Sequence, residues 1–298
     1  MPISGQNVLF PPFFSGDGTN GRKIVSAPLT LTSSMMYDSL VVKSTLTVSG
    51  HRIFSKGLIR VSAGGSIVAN GSDAIYEVKG NGAATGEVAG GGDGGTSASV
   101  ADAAIDGLVS PTGGSLGGDG GVGSALGPSA GGRTAIFYNG LGARAIWLKR
   151  FLNMYDGAFT YPSGLAPISG GGGGGPGGAV APATTRAGSG GGGAGVVWLA
   201  CDTLWLEDGA TITANGGAGG AGEVTGASRA DGGSGGGGGG AVVFCNKFIN
   251  ETGSQFSVTG GAGGSGVNGG GAGNYGGNGN IVIFTPQKII ASTTTYPV

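Results

Sequence analysis

His51 is the only histidine in the 298-residue chain. Any Ser/His/Asp or Cys/His nucleophilic set would have to be built on it. It stands in Gly50-His51-Arg52-Ile53-Phe54, at the edge of a strand pattern, with no nucleophile motif nearby. A structural histidine is the better reading. Zinc would need clustered His and Cys, which this sequence lacks. The two cysteines, Cys201 and Cys245, each follow an apolar run directly. They read as structural thiols rather than a disulfide. A glycosidase needs two carboxylates at a set separation in space, which the sequence does not give, so such a pair could be hidden among Asp17, Asp38, Asp73, Glu77, Glu207 and Asp208. Glu207-Asp208 falls in a turn of a repeat and reads as solvated. Asp17-Gly18, Asp93-Gly94, Asp119-Gly120 and Asp208-Gly209 are turn formers first. Gly-x-Gly-x-x-Gly matches recur by chance, but no Gly-Lys-Ser/Thr ending or strand–glycine–helix context accompanies them. We therefore expect no catalytic residues, no metal site and no cofactor.

What such a chain must position is mostly glycine, 74 residues of it, about a quarter against a usual ~7%. Ordering glycine costs more conformational entropy than ordering any other residue. Dense backbone hydrogen bonding, or a partner subunit, must offset that. Hydrophobic residues make up 39%, charged residues 10%, mean hydropathy is +0.18 and net charge is −1, the opposite of a disordered composition. No basic patch suggests nucleic acid. No apolar run approaches the ~18 residues of a membrane helix. Met1-Pro2-Ile3-Ser4-Gly5 does not open a secretory leader, so assembly in a cytoplasm is expected.

Glycine tracts run into apolar strands three times. Residues 164–195 lead to Val196-Val197-Trp198-Leu199, 216–240 to Ala241-Val242-Val243-Phe244, and 260–280 to Ile281-Val282-Ile283-Phe284. These strands begin 45 and then 40 residues apart. A smaller motif, Gly-x-x-apolar-x-x-Asn/Thr-Gly, occupies 64–71, 209–216 and 253–260, and 44–50 matches it without the first glycine. Five residues before each opening glycine stands Ile59, Leu204 or Phe248. Strand, tight turn, strand and glycine exit thus repeat. One unit cannot bury its apolar face alone, so the units must stack. The expected fold is all-β with little α-helix, a β-solenoid or layered β-sandwich. Gly-Gly-Ala-Gly-Gly-Ala-Gly at 216–222 and Gly-Gly-Ala-Gly-Gly-Ser-Gly at 260–266 have period three. That is the period of a polyproline-II-type helix, whose free backbone groups bond sideways, so polyglycine-II-like helices are expected. The expected parts are an extended arm at 1–21, a β module at 22–79 and a glycine-rich repeat domain at 80–298. A short helical turn near 101–108 and strands within 133–160 are also expected.

Gly16-Asp17-Gly18-Thr19-Asn20-Gly21, Leu29-Thr30-Leu31-Thr32, Met36-Tyr37, Leu46-Thr47-Val48 and Gly50-His51-Arg52-Ile53-Phe54-Ser55-Lys56-Gly57 follow one another in order. In this string, over residues 15–75, the chain resembles glycine-rich tail-fibre, adhesin and other virion proteins of tailed bacteriophages. The glycine-rich remainder resembles them in style alone. The resemblance implies a non-enzymatic virion protein, a homotrimer, that displays loops toward a bacterial surface receptor, protein or glycan. A capsid-decorating protein is the alternative it leaves open. The apolar Val8, Leu9, Phe10, Phe13 and Phe14 of the arm need burial, either by attachment to other virion proteins or by tucking against the arm's own domain. Receptor contact is expected from Tyr275, Asn274, Asn268, Arg229, Arg186 and Tyr161, because an aromatic among glycines supplies contact area with little competing bulk.

Overall fold

The structure, a computed structural model, describes residues 15–88, 90–97, 170–178, 185–224 and 229–291. The arm residues Val8, Leu9, Phe10, Phe13 and Phe14, the candidate Tyr161, the turn expected near 101–108 and the strands expected within 133–160 lie outside these. The described chain is almost entirely strand and extended backbone. Among the described residues, fifteen strands form two parallel sheets and one short antiparallel pair.

The first sheet is assembled from β1 (Arg22–Val25), β4 (Ser39–Val42), β6 (Arg52–Val61), β9 (Val196–Leu206), β12 (Gly240–Glu251) and β14 (Asn280–Phe284) in that order. Strand β3 (Met35–Tyr37) also pairs with β6, and β15 (Gln287–Ala291) with β12. The second sheet orders β13 (Gln255–Ser257), β10 (Thr211–Thr213), β7 (Ser66–Val68), β5 (Thr45–Thr47) and β2 (Leu29–Thr30). From β4 to β13 the chain alternates between the two sheets, apart from the short antiparallel pair, and each passage adds one strand to each. The small motif explains this. Its apolar positions Leu46, Ile67, Ile212 and Phe256 are register partners along the second sheet. The residues five before each glycine, Ile59, Leu204 and Phe248, are register partners along the first, with Leu40 beyond them. The two columns face one core. Strands from 22–79 and from beyond residue 185 share these sheets, because β6 pairs directly with β9.

The long strands change character halfway. In β9, residues 196–201 are all buried, after which Leu204 and Leu206 alternate with more exposed residues. The first half has both faces covered, as parallel strands do when they read as continuous apolar runs. On the face away from the main core, Phe54, Trp198, Phe244 and Phe284 form a file of rings, with centroids 4.9, 5.8 and 4.6 Å apart. The join between the halves is a bulge after Ser55. The buried Ser55 hydroxyl satisfies the backbone there, bonding the Leu58 and Asp38 carbonyls.

Each unit turns between sheets through a bond from residue i+3 to residue i: Gly65 to Ser62, Ala210 to Glu207 and Ser254 to Glu251. Gly64 and Gly209 hold φ of +75° and +76° in these turns, which a β-carbon would strain. Carboxylates tie one turn to the next. Glu207 accepts the Ala63 N–H and pairs with Arg60, and Glu251 accepts the Asp208 N–H and the Trp205 indole. Glu207 is thus a structural pin, 15% exposed, and not the solvated turn residue its sequence suggests. The motif's Asn works alike: the Asn70 amide oxygen accepts the Asn215 N–H, and that of Asn215 accepts the Thr259 N–H.

Between strands, extended glycine segments lie side by side. Segment 188–195 is enclosed by six others. The N–H groups of Gly188, Gly191 and Ala194 bond to Asp231, Ser234 and Gly237 carbonyls, and those of Ser189, Gly192 and Gly195 to Tyr76, Ser72 and Ala69. Gly190 and Gly193 donate to Gly95 and Gly92. Its carbonyls accept from Gly80 and Ala83, from Gly177, Gly174 and Gly171, and from Gly220 and Gly217. Each neighbour is met at every third residue. The period-three tract 216–222 behaves the same way, with Gly216, Gly219 and Gly222 donating to Thr259, Ala262 and Ser265.

Candidate functional site

Glycine appears in these segments because there is no room for anything else. A β-carbon on Gly191 or Gly193 would overlap the backbone carbonyls of Gly217 or Gly171. Large side chains are therefore excluded from the packed interior, which admits only alanines such as Ala187 and Ala230 and small polar side chains that bond to the backbone. Ser189 and Ser234 are fully buried, and Asp231 accepts the Gly271 N–H at 2.6 Å. Several large side chains stand where segments reverse, at the end away from the two sheets.

At that end, Ile75 and Val78 form an isolated antiparallel bridge around Tyr76, which holds φ of +49°. Ile75 is 66% exposed, Tyr76 50% and Val78 65%. The turn is anchored from beneath. The Tyr76 carbonyl accepts the Ser189 N–H, and the Glu77 carbonyl accepts the Ser189 hydroxyl. Beside it, β8 (Thr185–Arg186) pairs with β11 (Glu223–Val224). The Arg186 Nη1 lies 2.8 Å from Glu77 Oε1, an ion pair about half exposed on both sides. Further along, Ala230 bridges Val267 and brings exposed Arg229 beside the turn at Asn268 and Gly269. Those two residues have φ of +51° and +81°, and the Gly270 N–H closes the turn onto the Val267 carbonyl. This is the type I′ geometry that Asn-Gly favours.

Three of the sequence candidates, Arg186, Arg229 and Asn268, thus share the far end. Tyr275 and Asn274 do not. They lie midway along the outermost segment, 270–279, with Tyr275 77% exposed and the Asn274 backbone tied to Ser234 and Gly235. Sequence reasoning missed Ile75, Tyr76 and Val78. The available signal was Ile-Tyr-Glu-Val, an apolar cluster too short for a strand between two glycine stretches.

Three groups with potential for chemistry have structural surroundings. Cys201 and Cys245 are free, buried and register partners. Burial pushes the Cys201 thiol well up and that of Cys245 to about 11, so neither is a nucleophile at neutral pH. Burial acts to raise the Asp93 carboxyl, but hydrogen bonds from Lys79 and the Gly82 N–H outweigh it and hold the group below its usual range. Among the described residues, no three His, Cys, Asp or Glu side chains are grouped to hold a metal ion, and no helix is long and apolar enough to cross a membrane. Comparison with family models, curated proteins and solved structures returns no match.

Proposed function

We propose that the protein is a non-enzymatic bacteriophage tail-fibre adhesin, a β-solenoid whose glycine segments form polyglycine-II-like helices and whose far end meets the bacterial surface. The observation that carries this is the exposed turn of Ile75, Tyr76 and Val78 beside Arg186, with Arg229 and Asn268 exposed further along. Exposed apolar groups gathered in one turn mark interaction sites. Lateral bonding at every third residue on all sides supports the polyglycine-II reading, since that helix has three residues per turn and no internal hydrogen bonds. At ~3.1 Å rise per residue, segments of eight residues hold the turns roughly 25 Å beyond the sheets. A rigid support of that kind keeps the contact groups in one geometry, so less ordering entropy is lost on binding.

The chain forms a homotrimer in this reading, by resemblance to tail-fibre and adhesin proteins, with the arm at 1–21 attaching to the virion. The test is competition of purified protein with phage adsorption to host cells. Wild type blocks adsorption, and an Ile75→Ser/Val78→Ser variant with unchanged melting temperature blocks it at least about tenfold less well, as expected when two anchors worth ~1–2 kcal/mol each are lost. Equal blocking by both proteins overturns the site. Gold labelling confined to the capsid overturns the tail assignment, and a monomer in light scattering overturns the trimer.

A further inference from the structure

Six Asn-Gly dipeptides fall within the described residues: 20–21, 70–71, 81–82, 215–216, 268–269 and 278–279. A seventh, Asn139-Gly140, lies outside them. Asn-Gly is the dipeptide in which the following backbone nitrogen attacks the asparagine side chain most readily, because glycine offers no side chain in the way. The attack needs that N–H to lose its proton, so a hydrogen bond held by the N–H opposes it. Five of the six glycines hold one. Gly21 donates to Gly18, Gly71 to Asn215, Gly216 to Thr259 and Gly279 to Val258, while Gly82 donates to the Asp93 carboxylate. In four of these five the asparagine side-chain oxygen is engaged as well: Asn20 by Met36, Asn70 by Asn215, Asn215 by Thr259 and Asn278 by Gly260.

Gly269 is the exception: among the described residues its N–H donates to nothing. It is the exposed second central residue of the type I′ turn, whose closing bond is made by Gly270 instead. The group that approaches it is a cation. The Arg229 Nε lies 3.9 Å from where a β-carbon on Gly269 would sit, and among the described residues no other heavy atom outside the adjoining Asn268 and Gly270 comes within 4 Å of that point. A neighbouring guanidinium favours loss of the amide proton and the negative charge that develops in the attack.

We propose that Asn268 is a spontaneous modification site, deamidating through a cyclic imide while the other described Asn-Gly pairs stay intact. The Gly269 nitrogen gives up its proton and bonds to the Asn268 side-chain carbonyl carbon, and the amide leaves as ammonia. Water then opens the ring at one carbonyl or the other, giving aspartate or isoaspartate at position 268. The change adds one negative charge beside Arg229. The isoaspartate route also adds a backbone carbon to a two-residue turn, which no longer fits the bond between Gly270 and Val267. This inference holds whatever the far end binds.

The test is peptide mapping by mass spectrometry of the full-length protein after prolonged incubation at mildly alkaline pH, with digestion under acid conditions. Amide-to-acid exchange at 268 is expected at least about tenfold faster than at each of the other five sites, the factor that corresponds to one retained hydrogen bond. In urea the six rates converge, because all share the same dipeptide. Asn268→Gln removes the fast phase in the native protein and leaves the five slow ones. Equal native rates at the six sites, or a faster rate at any of the other five, overturn the proposal.

Discussion

The need for glycine at 191 and 193 is steric, and at 64 it is conformational. A β-carbon at 191 or 193 meets backbone that belongs to a different segment and cannot rotate away, whereas nothing lies within 4 Å of one at Gly64. Gly64→Ala is therefore expected to cost about 1–2 kcal/mol, the penalty of its positive φ. Gly191→Ala and Gly193→Ala should each cost roughly 3 kcal/mol or more, since overpacking here must separate two hydrogen-bonded segments. Urea unfolding of the three variants checks the order, and Gly64→Ala as the most damaging would contradict it. The buried thiols set a second expectation. A group whose pKa is raised on folding stabilises fully below its unfolded value and loses that contribution as pH rises. From the ordinary thiol value of 9.0 toward the value of about 11 for Cys245, the unfolded chain ionises first. Stability should fall there by up to about 1.4 kcal/mol per pH unit for each thiol. Melting curves across this range should show the fall, and Cys245→Ala should make it shallower. Both thiols should also resist a thiol reagent until the chain unfolds.

The elements are held in stacked register by a few side chains at repeating positions. Equivalent positions do the same work: the Glu207 and Glu251 carboxylates each reach back to the turn of the preceding unit. Arg60 lies 4.7 Å from the Trp205 ring while pairing with Glu207. Glu207→Ala removes the acceptor of Ala63 and the partner of Arg60. With Arg60 40% exposed the ion pair is screened, so the cost is expected at about 1–2 kcal/mol, mostly from the unmet N–H. Glu207→Gln should recover part of it in urea titrations, whereas a cost equal to that of alanine would show that charge alone matters. Much of this architecture was legible in the sequence. Ile67, Ile212 and Phe256 stack because the motif repeats, and the period of three in 216–222 is the period of its lateral bonds. The length of β6, β9 and β12 was not, because a polar or small residue at the bend, as at Ser55 and Gly57, looks like a strand end. Nor was the grouping at the far end. Glu77 and Arg186 stand 109 residues apart, and no local pattern records which glycine segments become neighbours.

At the scale of the whole molecule, the glycine layer and the sheets depend on each other. A net ~0.5–1.5 kcal/mol per hydrogen bond only about offsets the ~1–2 kcal/mol of ordering each residue. The layer therefore has little stability of its own, and only small apolar side chains such as Ala187 and Ala230 within it to add more. What fixes it is continuity with the core. Ala69, Ala194 and Ala214 sit at the segment ends and belong to the main apolar cluster. The Gly195, Gly239 and Gly240 N–H groups carry the bonding across the join, to Ala69, Ala214 and Gly195. The sheets in turn close across long stretches of chain, with Arg60 and Glu207 separated by 147 positions, so no single unit is a local folding module. Both parts should unfold in one transition. Hydrogen exchange followed in increasing urea tests this directly, by comparing amides of 188–193 with those of 197–204. The two sets are expected to merge into one opening reaction with the same urea dependence. Loss of protection in 188–193 while 197–204 stays closed would show that the sheets stand alone and merely carry the glycine layer.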